Sequence, residues 1–128
     1  MEYRYLNDML SVFNNTTNIT DNPLIYSFDN IIPYSNEEEL LYGKTIIQPG
    51  NINDEFYMTK GHIHNIPCAE VYYGIKGNGI VLCQKEDQMK EFELCADKVV
   101  YCEPEWAHRV INTSHEPLEF LCVCKANA

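Results

Sequence analysis

The residues of this chain best suited to chemistry are Thr59-Lys60-Gly61-His62-Ile63-His64 near its middle, Glu70 shortly after, and His108 far downstream. Histidines two positions apart on a strand point to the same face, because side chains alternate with a period of two. Three imidazoles and a carboxylate form a mixed nitrogen and oxygen set suited to a divalent transition metal. They leave one or two coordination positions open, as a catalytic ion requires. A solitary strand histidine is usually only a hydrogen-bonded or half-exposed residue. The His-x-His pair, followed by Glu70 and by His108 on a neighbouring strand, lifts this set above that plain reading. His115, beside Pro117, reads as a surface residue; Trp106 reads as packing and Arg109 as the partner of an acidic neighbour.

Holding these side chains together needs a rigid frame, and the hydrophobic pattern supplies one. Tyr3, Leu6, Met9, Leu10 and Phe13 recur near i, i+3, i+7, which predicts a short amphipathic helix that covers the core or meets a second copy. A polar loop over 14–22, closed by Pro23, completes an N-terminal segment of residues 1–23. Residues 24–128 then read as one barrel domain. Short strands are expected at 24–28, 31–34, 41–47, 56–59, 91–94, 99–102, 106–112 and 118–124, with a solvated acidic turn at 36–39 and a turn at Pro49-Gly50. Runs 70–76 and 80–84, separated by Gly77-Asn78-Gly79, predict a hairpin, because such residues supply the positive φ angles of a tight turn. Acidic and amide residues at 86–88 make the next turn. Many short strands with almost no helix indicate an all-β fold, a closed antiparallel barrel or jelly roll.

Composition narrows the partners. The chain has 128 residues, one domain's worth, and 45% hydrophobic with 12% aromatic content fits a folded core. A formal net charge of -10 lacks the basic footprint that nucleic acid or an anionic membrane would require. A small anionic substrate is allowed if local donors or a metal receive it. The cysteines are Cys68, Cys83, Cys95, Cys102, Cys122 and Cys124. A polar start with no apolar leader, and no segment of membrane-span length, make them reduced strand hydrophobes in a cytoplasmic protein. No C-x-x-C pair is present, and Cys122-x-Cys124 alone is weak evidence for zinc.

Two patterns carry a resemblance. His62-x-His64-x5-Glu70-x6-Gly77 is similar to the first cupin motif, and Pro104-x3-His108-x3-Asn112 to the second. That implies a double-stranded β-helix with a metal in its mouth. Around the motifs, 59–64, Ala69-Glu70-Val71-Tyr72, Lys76-Gly77-Asn78-Gly79, Val99-Val100-Tyr101 and Trp106-Ala107-His108-Arg109 resemble the cupin-type glucose-6-phosphate isomerases. By this resemblance His62, His64, Glu70 and His108 are ligands of one divalent ion, iron, manganese, nickel or zinc. The phosphate contacts fall on Thr45, Thr59 and the Gly61 backbone, and two pocket tyrosines on Tyr26 and Tyr72. Glu70, Tyr72 and Tyr26 are the candidate catalytic groups, and the fold class implies a homodimer. Members continue past the last strand through a tyrosine and a His-Asp-Tyr-Gly segment; here the tyrosine position falls on Cys124 and no such segment is matched by Ala128, so a trimmed closing segment is expected.

Three functions follow. The first is isomerisation of an aldose phosphate to a ketose phosphate, with glucose 6-phosphate and fructose 6-phosphate as the leading pair. The second is an iron-dependent oxygenase of the cupin class, since three histidines and a glutamate with open positions can activate dioxygen. The third is a non-catalytic cupin that binds a sugar phosphate.

Overall fold

The computed structural model describes residues 1–34, 39–64 and 67–126. Its strands are β1 (Glu2–Tyr5), β2 (Leu24–Ile31), β3 (Leu40–Ile47), β4 (Asn51–Ile52), β5 (Glu55–Phe56), β6 (Glu70–Lys76), β7 (Asn78–Lys85), β8 (Gln88–Cys95), β9 (Val99–Cys102), β10 (Ala107–Asn112) and β11 (Leu118–Lys125). One antiparallel sheet runs in the order β1-β2-β3-β11-β6-β9, and a second in the order β10-β7-β8. Their inner faces share one core, with Ile25, Ile47 and Phe120 from the first sheet against Val81, Leu94 and Val110 from the second. This is the all-β jelly-roll arrangement expected of the sequence.

Alternation explains which residues face inward. Along β10 the buried positions are His108, Val110 and Asn112; along β7 they are Gly79, Val81 and Cys83. β6 buries Glu70 and Tyr72, and β9 buries Val100 and Cys102. A period of two therefore places polar and apolar groups on the same interior face.

The N-terminus departs from the expected helix. Glu2–Tyr5 is a strand paired with β2, and only Leu6–Asp8 forms one 3-10 turn. The spacing marked the right core residues, since Leu6, Met9 and Phe13 are buried, while Tyr3 and Leu10 are exposed. A segment of two or three turns is marginal as a helix in water. The open edge of β2 offers its backbone a better set of partners, and irregular turns carry the three apolar side chains inward.

The expected hairpin across Gly77-Asn78-Gly79 is also absent. β6 pairs with β11 and β9, whereas β7 pairs with β10 and β8, so this corner carries the chain from one sheet to the other. Gly77 has φ +87°, and a Cβ there would run into the Pro117 carbonyl. A left-handed residue in so close an approach must be glycine. The separate strand expected at 31–34 is only the end of β2, with Ile32 to Tyr34 irregular. The turn expected at 36–39 lies, save for Glu39, outside the described residues. Among the described residues no helix is long and apolar enough to cross a membrane.

Candidate metal centre

The segment carrying the paired histidines lies along β10. Met58 bridges Ile111, the Thr59 N–H donates to the Val110 carbonyl at 2.9 Å, and His62 and His108 exchange backbone bonds of 3.1 and 3.0 Å. It is not the strand expected for the histidine pair but an irregular segment with isolated bridges at Met58 and His62, and the bridge at His62 brings it beside His108. Gly61 permits this path with φ +77°, because a Cβ there would meet Arg109 and the His108 carbonyl at 3.0–3.1 Å. Glu70 enters from the other sheet, at the start of β6.

The four side chains converge. Glu70 Oε1 lies 3.1 Å from His64 Nε2, 3.6 Å from His62 Nε2 and 4.0 Å from His108 Nε2. The Nε2 atoms of His64 and His108 are 3.2 Å apart. Ligands about 2.1 Å from one ion stand about 3 Å apart at right angles and about 4.2 Å apart when opposed. All four separations fall in that interval, so the set fits a single divalent ion with no large rearrangement. The Nδ1 of His64 is buried without a hydrogen-bond partner among the described residues, and three imidazoles crowd one carboxylate. A cation at the shared focus would satisfy this convergence of lone pairs.

Electrostatics suits these four side chains to a cation. Burial alone would raise the Glu70 carboxyl, but His62 and His64, with His108 and Tyr72, hold it far below the usual carboxylate range. Burial pushes His108 down to about 4, against the opposing pull of Glu70 and with help from His62 and His64. The carboxylate is thus ionised and the imidazole neutral, the states that bind metal. The Tyr72 hydroxyl is 2.8 Å from His108 Nδ1 and wholly buried, so it orients the ring from behind.

A cleft of about 200 Å³ opens beside this cluster. Tyr26, Thr45, Thr59, Gly61, His62, Glu70, Tyr72 and His108 all line it, so every expected site residue except His64 meets there. His64 reaches the cluster from behind. The Thr59 hydroxyl accepts from the Val110 N–H at 3.0 Å, which leaves its own hydrogen for a ligand. Tyr26 accepts from the Lys60 N–H at 3.4 Å and stacks on Phe28. Arg109 does not pair with an acidic neighbour among the described residues; its guanidinium donates to the Lys60 carbonyl at 3.0 Å and faces Met58 Sδ, bracing the Thr59–His62 path. Trp106 is buried under Lys90, as packing.

Two lining residues carry no signal in the sequence motifs. Lys60 places a cation at the cleft, between Thr59 and Gly61 in the chain, two of the three expected phosphate contacts, and no role of its own is expected for it from the sequence. Cys122 faces the cleft as the cross-strand partner of Tyr72; burial and Glu70 push its thiol up to about 12, so it is a neutral wall and not a thiolate ligand.

Comparison with known proteins agrees with this geometry. A Bacillus subtilis oxalate decarboxylase, described with Mn(II) centres, superposes with a TM-score of 0.58 at 26% identity, over 70% of this chain and 22% of that one. A cupin domain of an Enterobacter cloacae transcriptional regulator gives 0.57 at 16% identity, over 78% and 95% of the two chains, a likeness of fold alone. A glucose-6-phosphate isomerase of Thermococcus kodakarensis is 39% identical over 112 residues, 86% of this chain and 59% of the relative. One from Thermococcus litoralis is 40% identical over 108 residues, 83% and 57% of the two. The chain thus spans a little under three fifths of the length of these curated relatives. The family model for glucose-6-phosphate isomerase (GPI) matches residues 5–128, so nearly the whole chain belongs to that family and the fold around the histidine cluster is the cupin barrel.

Proposed function

We propose that this chain is a metal-dependent isomerase that interconverts an aldose phosphate and a ketose phosphate, glucose 6-phosphate and fructose 6-phosphate first. The supporting observation is that a four-residue cluster able to hold an ion borders a cleft lined by Thr45, Thr59, Lys60 and Gly61, the candidate phosphate contacts with a cation among them. The curated relatives carry the same activity in their names.

Each residue has a part in this reading. The hydroxyls of Thr45 and Thr59 and the Gly61 N–H receive the phosphate, with the Lys60 cation at the same cleft. His62, His64, Glu70 and His108 hold iron, manganese, nickel or zinc. When bound, the ion polarises vicinal sugar oxygens and stabilises negative charge developing on them. Glu70 serves as a ligand, and among the described residues no other carboxylate lines the cleft to act as a base. Hydrogen therefore passes between C2 and C1 within the substrate, with its electron pair, while the Tyr26 hydroxyl moves the proton between the two oxygens. Tyr72 positions His108 and takes no proton from the sugar.

The enzyme works in the cytoplasm as a homodimer. Its outer sheet face supports the pairing: Tyr42, Val123, Val71 and Tyr101 form one apolar row across β3, β11, β6 and β9. Leu6, Met9 and Phe13 are spent in the core, leaving Tyr3, Tyr5 and Leu10 for any N-terminal contact. The test is equilibration of the two hexose phosphates, without oxygen, by protein reloaded with each of the four metals. No turnover with any metal overturns the isomerase; saturable sugar-phosphate binding without product would make the chain a binder, and oxygen consumption an oxygenase.

A further inference from the structure

Two thiols meet beside the ligand cluster, one from each sheet. Cys83 on β7 stands directly opposite His108 on β10, and Cys102 on β9 stands directly opposite Glu70 on β6. Their sulfurs are 3.8 Å apart, and the residues are 2% and 1% exposed. Neither lines the cleft, and the reaction proposed above uses neither. We propose that Cys83 and Cys102 form a reversible disulfide that clasps the two sheets and loosens their hold on a divalent ion.

The geometry favours this pair over the others. A disulfide needs sulfurs at about 2.05 Å, so the two must approach by roughly 1.8 Å, within reach of side-chain rotation and a small strand shift. An oxidant reaches Cys83 through a separate small cavity of about 10 Å³, lined by Cys83, Lys90, Glu103 and Trp106. That space is water-sized, and its mouth is covered by the half-exposed ion pair of Lys90 and Glu103 at 3.5 Å. Hydrogen peroxide is the oxidant small enough to enter. The Cys83 sulfur attacks one peroxide oxygen, the O–O bond breaks, and the thiol proton leaves with the other oxygen as water. The Cys102 sulfur then attacks the sulfenic sulfur; the S–S bond forms, the S–O bond breaks, and a second water leaves with the Cys102 proton. Two electrons pass from the thiols to peroxide, and a dithiol reverses the bond by exchange.

The consequence reaches the ligands because each thiol is the cross-strand neighbour of one. His108 Nε2 and Glu70 Oε1 face each other across the sheets at 4.0 Å. Ligands tolerate displacements of only about 0.5 Å, so drawing β7 toward β9 disturbs the set. This second half of the proposal rests on the four side chains being an ion site; the disulfide itself does not.

Zinc-loaded protein treated with hydrogen peroxide, alkylated and digested should yield a Cys83–Cys102 linked peptide by mass spectrometry, lost again after dithiothreitol. Zinc affinity by chelator competition should fall about tenfold on oxidation and recover on reduction. In Cys102→Ser protein, treated with peroxide and then unfolded in urea with dimedone present, Cys83 should instead be trapped as the sulfenic acid. Both cysteines alkylated after peroxide, or linkage to Cys122 or Cys124, overturns the pair. Equal zinc affinity in the two states overturns the loosening. Reduced protein that binds no zinc overturns the ion site and with it the loosening, while the peptide map still decides the disulfide.

Discussion

The Tyr72 hydroxyl lies 2.8 Å from Nδ1 of His108, on the side of the ring away from the Nε2 that faces His64 and Glu70. For Nε2 to present a lone pair to an ion, Nδ1 must carry the hydrogen and donate it to the tyrosine oxygen. Tyr72 thus selects a tautomer. Replacing it with Phe keeps the packing against Phe120 and removes the hydroxyl that bonds His108 Nδ1 and also helps hold Glu70 ionised. Tyr72→Phe should lower divalent-metal affinity by about 10- to 100-fold with an unchanged circular dichroism spectrum; chelator competition measures it, and unchanged affinity would refute the role.

Glu70 is where the two sheets share a charge. Glu70→Gln removes the anion that offsets three imidazoles while keeping the side-chain shape. We expect loss of metal binding and of the proposed isomerase activity together, read by metal analysis after gel filtration and by coupled assay. Activity surviving at the native level would leave Glu70 without either role.

If hydrogen moves inside the substrate, the isotope at C2 goes with it. Glucose 6-phosphate deuterated at C2 should give fructose 6-phosphate that retains deuterium at C1, as seen by NMR or mass spectrometry. Wash-out to solvent hydrogen would instead require a protein base.

Acid should weaken the chelated protein in a defined window. The folded His108 titrates near 4, below its ordinary value of 6.5, so between those values the unfolded chain binds the proton first. The stability is fully present above pH 6.5 and is lost as pH falls through 4; at pH 4.5 the loss is about 2–3 kcal/mol from this buried group. Glu70, also depressed, adds a further loss below its ordinary 4.5. Urea melts of the chelated protein at pH 7.5 and 4.5 measure the first step, and equal midpoints would contradict it.

Asn112 is fully buried, and its amide donates to the Ile47 and Glu116 carbonyls at 3.0 and 2.8 Å while its oxygen accepts from the Ser114 N–H at 3.0 Å. Asn112→Ala removes the buried bond to the Ile47 carbonyl and the part-buried bonds to Glu116 and Ser114 that hold the turn. A stability loss of about 2–4 kcal/mol is expected by denaturant melting.

How far the sequence discloses this structure depends on whether a feature is local. Glu70 and His108 are legible because a period of two turns each inward on β6 and β10, while His62 and His64 are legible only as a motif, since the segment that carries them is held by isolated bridges and not by a strand. The N-terminal segment misleads because Leu6, Met9 and Phe13 are buried by turns as readily as by a helix, and the open edge of β2 makes the choice. Gly77 signals a positive φ but not whether the strands it joins will pair with each other; closure of the barrel decides that. Cys83 and Cys102 belong to no motif, and only the facing of the two sheets brings them together.

β11 is the final strand in the chain, yet it sits between β3 and β6, paired to both along most of its length. Until residues 118–125 arrive, β3 and β6 are two bare edges rich in Ile, Leu, Tyr and Val, the kind of surface that captures strands from other chains. During synthesis the first sheet is therefore two unfinished halves waiting for one strand, and its closure over so long a span of sequence is slow. A newborn chain paused before this strand is a candidate for chaperone holding, and stop codons ahead of residue 118 should send more of the product to inclusion bodies than a chain carried through residue 128.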